Sequence, residues 1–227
     1  MTSDEYKAIE SYMLSEMQDS AHDEHHVYRV LNSALEIADH CEQVDFDILI
    51  AACLLHDIGR ERQFADLENS CHAEIGSEMA YGFLISLNWT QEKALHVKEC
   101  ISTHRFRKNK KPQSIEAKIL FDADKLDASG AIGIARTLIY EGQVGEPLYI
   151  MDEEGKIIVD NGGAEISSFF QEYNYKLKNV YNKFYTKRAN EIASERQKTA
   201  ENFYNGLYSE INNNYIKGIM KVNHETE

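Results

Sequence analysis

The stretch AACLLHDIGRE, residues 51–61, decides how this chain is read. Ala51, Ala52, Cys53, Leu54 and Leu55 form an apolar run that leads directly into His56 and Asp57, then Gly59 and Arg60. A helix that buries AACLL carries two adjacent polar groups to the edge of the core, where each needs a partner. Either they satisfy one another and the backbone, or they hold something. The periodicity predicts helix over 46–58, with Gly59 as its stop.

The sequence on either side is of the same kind. Residues 4–18 predict a helix with Ile9, Met13 and Met17 on one face, and a second starts near Ser20 or His22 and runs to His40. The stripe of that second helix is Val27, Val30, Leu31, Ala34 and Ala38. CHAEIGSEMAYGFLISLN (71–88) and TQEKALHVKECISTH (90–104) read as two more, the latter capped by Thr90. A basic loop, RFRKNKKPQS (105–114), precedes helix over 114–140. LYIMDEEGKIIV (148–159) predicts a small β-hairpin within 141–163, and helix returns over 164–185 and 187–214, with the last ten residues frayed. Phe169, Tyr173, Leu177 and Tyr181 form an aromatic stripe suited to core packing, while Tyr175, Tyr181 and Tyr185 suit a homodimer interface or an intramolecular core equally.

Composition supports a mostly helical fold of one domain, 1–227, and all-α is the fold class expected once the resemblance given below is added. The only prolines are Pro112 and Pro147, and no glycine- or serine-rich stretch divides the chain. A chain of 227 residues buries roughly 70% of its extended surface, enough for one substantial core. A net charge of −14, from 24 basic and 38 acidic residues, argues against a long nucleic acid as partner. It leaves room for a small phosphorylated ligand held by a metal and a few local cations. Cys41, Cys53, Cys71 and Cys100 lack CxxC spacing and read as reduced packing residues. No apolar run approaches membrane-spanning length and no signal core is present, so a cytoplasmic location is expected.

The histidines carry the functional signal. In AHDEHHVYRV (21–30), His26 shares a face with the buried stripe and keeps Arg29 nearby. Leu120, Asp124, Asp127 and Ala131 follow at offsets of four, three and four, which puts both aspartates on the inward or cleft-lining side. Imidazoles and carboxylates arriving from separate helices are costly unless paired or liganded. A divalent cation resolves the cost, with nitrogen from His26 and His56 and oxygen from Asp57 and Asp124. That mixed donor set suits Mn²⁺, Co²⁺, Ni²⁺, Fe²⁺ or Zn²⁺ better than Ca²⁺. Taken alone, each histidine reads as an ordinary hydrogen-bonded residue, and the HD dipeptide arises by chance; it is the four-part set that points to metal.

HHVYRV (25–30), LLHDIG (54–59) and FDADKLDASGAIGIAR (121–136), in this order on a helical chain, resemble the HD-domain metal-dependent phosphohydrolase superfamily. The long third motif resembles that of a bacterial subfamily with a two-helix C-terminal extension, and the likeness spans about residues 20–215. The resemblance implies an HD-domain helical bundle with its core at about 20–140, a hairpin-like segment at 141–163 and a helical extension at 164–215. It places the metal ligands on His26, His56, Asp57 and Asp124; Asp124 rather than Asp122 follows from matching ADKLD. Lys125 stands where arginine is common, keeping the charge without the bidentate fork. His72 and His104 are read as substrate-facing beside one metal, with a second metal through both, bridged by Asp57, left open.

The expected chemistry is attack of metal-activated water on phosphorus. Asp57 is a ligand, while Asp127 or Glu74 is the candidate to orient or deprotonate the water. Asp127 has the alternative of a salt bridge with Lys125 or an arginine. Arg29, Arg60 and Lys125 are the cations expected at the pocket, with Arg105 or Lys108 at its rim. The resemblance implies a small-nucleotide substrate, with nucleoside triphosphate cleaved to monophosphate and pyrophosphate. A nucleotide phosphomonoesterase, a noncatalytic nucleotide-binding regulatory module and a diiron oxygenase are the alternatives.

Overall fold

The computed structural model describes residues 1–17, 24–65, 71–105, 110–160, 162 and 168–226. Ser20, His22 and Lys108, named above, lie outside the described residues. The chain forms two compact units: Met1–Asp127 with Phe184–Asn190, and Ala128–Lys183 with Glu191–Glu227. Among the described residues no helix is long and apolar enough to cross a membrane.

The first unit contains α1 (Ser3–Glu16), α2 (Glu24–Ala38), α3 (Phe46–Leu55), α4 (Arg60–Ala65), α5 (His72–Ser86), α6 (Gln91–Ser102) and α7 (Ile115–Asp127). Helix α1 begins at a capping box, Thr2 with Glu5, and buries Ile9 and Met13. The stripe read for α2 is buried as expected and packs against α7. Helix α3 is apolar on every side, burying Ile48, Leu49 and all of Ala51–Leu55, so neighbours surround it: α1, α2, α5, α6 and α7. Asp45 caps its start by accepting from the Asp47 and Ile48 amides at 3.0 and 3.3 Å.

Helix α3 stops at Leu55, earlier than the sequence pattern predicts, and His56–Gly59 is a turn. Gly59 does not end the helix through a left-handed conformation. Its hydrogen-only side faces α5 so closely that a Cβ would lie 2.3 Å from the His72 carbonyl oxygen and 2.5 Å from the Gly76 nitrogen. Gly76, in turn, would bring a Cβ to 3.1 Å from the Gly59 nitrogen. Two glycines therefore let backbone touch backbone and set His72 beside the His56–Asp57 turn.

The predicted helix over 114–140 is two helices, α7 and α8 (Gly130–Val144), broken at Ala128–Ser129. Gly130 has φ +63°, which a helix cannot continue through, and a Cβ on Gly133 would meet the Ala128 carbonyl oxygen at 2.4 Å. The second unit adds α9 (Phe169–Tyr175), a 3₁₀ turn (Leu177–Asn182) and most of α10 (Lys187–Thr226). Phe169, Tyr173, Leu177 and Tyr181 are buried, and Tyr173 stacks on Tyr204 with ring centres 4.4 Å apart. Tyr175 is exposed. The hairpin segment makes a single antiparallel bridge, Met151 with Ile157, around Gly155 at φ +75°; no strand is formed among the described residues. Helix α10 runs to Thr226, past the expected end at 214 and through the residues expected to fray. No proline interrupts it, and Gly206 and Gly218 weaken a helix without stopping it. All four cysteines are free, Cys53 and Cys100 fully buried.

Two predictions follow from this packing. Gly59→Ala should destabilise the protein by about 3 kcal/mol and weaken metal binding, because α5 must retreat from the turn; denaturant unfolding and metal titration check both. Glu141 is buried with neither carboxylate oxygen hydrogen-bonded. Burial, then Glu146 and Glu172, push its pKa up from 4.5 to about 7 against the pull of Lys176. The native state then holds an extra proton between those values, so stability falls as pH rises through that window. Glu141→Gln should raise Tm clearly at pH 8 and far less at pH 5; an equal gain at both would remove the carboxylate's charge as the cause.

Candidate metal centre

Each site histidine is held by a local device. His56 lies just past the end of α3, where its Nδ1 donates to the Cys53 carbonyl at 2.8 Å. His104 lies just past α6 and donates from Nδ1 to the Ile101 carbonyl at 2.6 Å. These carbonyls belong to last turns, so each ring adds a hydrogen bond to its own helix end and turns Nε2 inward. His26, from the first turn of α2, donates from Nδ1 to Asp127 Oδ2 at 2.7 Å. Asp127 is held in turn by Arg29, whose Nε and Nη2 donate to its two oxygens at 2.7 and 3.0 Å.

These rings converge on Asp57. Its Oδ2 lies 3.5 Å from His26 Nε2 and 3.6 Å from His56 Nε2. Its Oδ1 lies 3.5 Å from His72 Nε2 and 3.6 Å from His104 Nε2. Asp124 Oδ1 completes the first side at 3.4 Å from His26 Nε2 and 3.9 Å from His56 Nε2. Two buried donor clusters result, His26–His56–Asp57 and Asp57–His72–His104, sharing one carboxylate. All four rings and Asp57 are 2% exposed or less, whereas the Asp124 and Arg60 side chains, at 27% and 23%, form the open side.

The donor set fits a divalent cation. Ligands about 2.0–2.2 Å from an ion stand about 3–3.5 Å from one another, close to the separations around Asp57 and Asp124. Asp57 Oδ1 is buried without a hydrogen-bond partner, as a coordinating atom is when only protein is counted. Electrostatics agree. Burial opposes a charge on His26, yet Asp124, Asp127 and Asp57 together lift its pKa to about 10, so this point demands positive charge from a proton or a cation. Burial also opposes the Asp57 carboxylate, but His56, His104, His26 and Arg60 hold it well below the usual range. Burial lowers His56, and burial followed by Arg60 brings His72 down to about 3, leaving that ring neutral. The cluster can bind one cation through His26, His56, Asp57 and Asp124, and offers a second set through Asp57, His72 and His104.

The cations read from the sequence are placed differently. Arg60 Nε donates to Asp57 Oδ2 at 2.6 Å, and Arg105 Nη1 sits 3.4 Å from His72 Nδ1. Arg29 is bound to Asp127. Lys125 Nζ lies over the rings of Phe184 and Phe121 at 4.6 and 5.7 Å. Glu74 is exposed, with Lys110 donating to it at 2.7 Å. Asp122 points to the start of α10, accepting from the Tyr185 and Thr186 amides and the Thr186 hydroxyl at 2.7–3.1 Å. The Arg29–Asp127–His26 chain was not read as such from the sequence, although Arg29 three residues after His26 and Asp127 three after Asp124 are the spacings that build it.

The HD domain family description matches residues 24–129. YpgQ of Bacillus subtilis is 31% identical over 198 residues, 86% of each chain. Its crystal structure superposes with a TM-score of 0.70 at 26% identity, covering 92% of this chain and 96% of that one; a second crystal structure of YpgQ is a complex with ADP. An HD-superfamily hydrolase of Bacillus thuringiensis superposes with a TM-score of 0.69 at 28% identity, over 92% and 97% of the two chains. The chain belongs to the HD-domain family, and its buried histidine–aspartate clusters make it a divalent-metal-dependent phosphohydrolase. Within that family its likeness to YpgQ extends to the C-terminal helical extension.

If Asp127 sets the His26 ring, Asp127→Ala should lower Mn²⁺ affinity roughly 10- to 100-fold, measured by titration calorimetry. An unchanged affinity would separate the Arg29–Asp127 pair from the metal ligands.

Proposed function

We propose that this protein hydrolyses nucleoside triphosphates to nucleoside monophosphate and pyrophosphate. Water adds to the α-phosphorus, the bond from that phosphorus to the bridging oxygen breaks, and pyrophosphate leaves while the water oxygen stays on the monophosphate. One observation carries the reading: a buried carboxylate, Asp57, stands among four histidines with Arg60 at its edge. The ADP held by YpgQ, a relative of the same fold, supports a nucleotide as the ligand.

His26, His56, Asp57 and Asp124 would hold the cation, with Mn²⁺ proposed among Mn, Co, Ni, Fe and Zn. A divalent cation there lowers the pKa of its water and offsets charge on the phosphoryl oxygens. Asp57 Oδ1, which takes no hydrogen bond, is placed to accept from and orient the attacking water. Arg60 and Arg105 supply positive charge to the phosphate chain, and His72 and His104 face it beside them. Asp127 acts through His26 rather than on the water, because Arg29 and His26 occupy its oxygens. Lys125 adds charge next to Asp124 in sequence, while Glu74, exposed and held by Lys110, has weaker support as the base. A compact anion suits a chain carrying −14 overall, since repulsion grows with the length of a negative ligand.

Incubation of Mn²⁺-loaded protein with a panel of nucleoside triphosphates should release pyrophosphate and monophosphate in equal amounts. Release of orthophosphate would replace this reading with phosphomonoester hydrolysis, and tight binding without turnover would replace it with a regulatory module. Two irons per chain with oxygen consumption would make it an oxygenase. Asp57→Ala should abolish metal retention and turnover together; full activity in that variant would reject the site.

A further inference from the structure

Three of the four clustered histidines are oriented alike. The Nδ1 atoms of His26, His56 and His104 face oxygen acceptors: a carboxylate and two carbonyls. A carbonyl accepts only, so the Nδ1 of His56 and of His104 carries the proton, and Nε2 presents its lone pair to Asp57. His72 is reversed. Its Nδ1 faces Arg105 Nη1 at 3.4 Å, and a guanidinium has donors and no lone pair.

We infer that Arg105 sets the number of cations this site holds, by fixing His72 in the tautomer that cannot ligate through Nε2. With Nδ1 accepting from Arg105, the proton of a neutral His72 resides on Nε2, the atom 3.5 Å from Asp57 Oδ1. The Asp57–His72–His104 set then offers two ligand atoms and one N–H. A cation held by so few protein ligands is weak beside the His26–His56–Asp57–Asp124 set. The resting protein binds one cation, and His72 Nε2–H serves as a donor to a carboxylate or phosphate oxygen.

Arg105 is also placed to respond to substrate. It lies next in the chain to His104, at the start of the basic loop. A phosphate oxygen competes for a guanidinium far better than a neutral ring nitrogen does, because the bond is charge-assisted and can be bidentate. An anion that draws Arg105 away removes the donor that holds the proton on Nε2, so that the proton can move to Nδ1 and Nε2 can coordinate. The second site is thereby completed by the same event that brings phosphate to the first. This inference rests on the metal reading above and deepens it, making Arg105 a positioning residue for the second cation.

The first test needs no metal. Nitrogen-15 spectra of the histidine rings in metal-free protein should show His56 and His104 protonated at Nδ1 and His72 at Nε2. His72 protonated at Nδ1 would overturn the inference. The second test is Mn²⁺ stoichiometry by equilibrium dialysis with metal analysis. Wild type should bind one tight cation per chain, and Arg105→Ala should bind a second with affinity raised about tenfold or more, with His72→Ala in the same background returning it to one. Two equally tight cations in wild type, or a single one in correctly folded Arg105→Ala, would overturn the role of Arg105 while leaving the first site intact. No binding by wild type would instead overturn the metal reading itself.

Discussion

A carboxylate buried between four imidazoles is the constraint on which the molecule depends. Asp57 gives Oδ2 to the His26 and His56 side and Oδ1 to the His72 and His104 side. Taking such a charge out of water is costly unless opposite charge arrives from fixed directions. Here it arrives from Arg60 and from whatever occupies the inward nitrogens. The site therefore carries its own local charge balance, and the surrounding helices serve to keep its donors from drifting apart.

Rigidity comes from helix ends and close backbone contact rather than from long loops. His56 and His104 each finish a helix by capping a carbonyl three residues back, which fixes ring plane and proton together. Gly59 and Gly76 remove the side chains that would separate the Asp57 turn from α5. Beyond the ligands, Arg29 fixes Asp127 and Asp127 fixes His26, the arrangement by which outer groups orient a metal-binding ring. The apolar surround of α3, with no polar residue between Ile48 and Leu55, anchors the turn in a core that cannot easily rearrange.

Much of this was legible in the sequence. The apolar stripe of α2, the Thr90 cap of α6 and the placement of Asp124 and Asp127 on the site-facing side of α7 followed from periodicity and capping chemistry alone. The convergence of His26, His56, Asp57 and Asp124 was expected from residue type and strengthened by resemblance. What periodicity missed are events at single backbone positions. A helical pattern runs unbroken across Ala128–Ser129, but Gly130 adopts a left-handed conformation there and the helix divides. The β-prone residues of 148–159 pair only once, since a lone hairpin gains little without a third strand to bury its face. Polar composition near the C-terminus suggested fraying, whereas helix propensity without a proline carried α10 onward.

The sequence by itself determined an all-helical chain and a candidate set of donors, because helical spacing and ligand chemistry are properties of residue order and type. Only the tertiary structure decided what each charged group touches: Arg29 on Asp127 rather than open to a phosphate, Arg105 on His72, and Asp122 committed to the start of α10. The physical reason is reach. Spacing along one helix fixes a direction, but partners such as Arg29 and Asp127 come from different helices and meet within about 3 Å, a distance set by how whole helices pack.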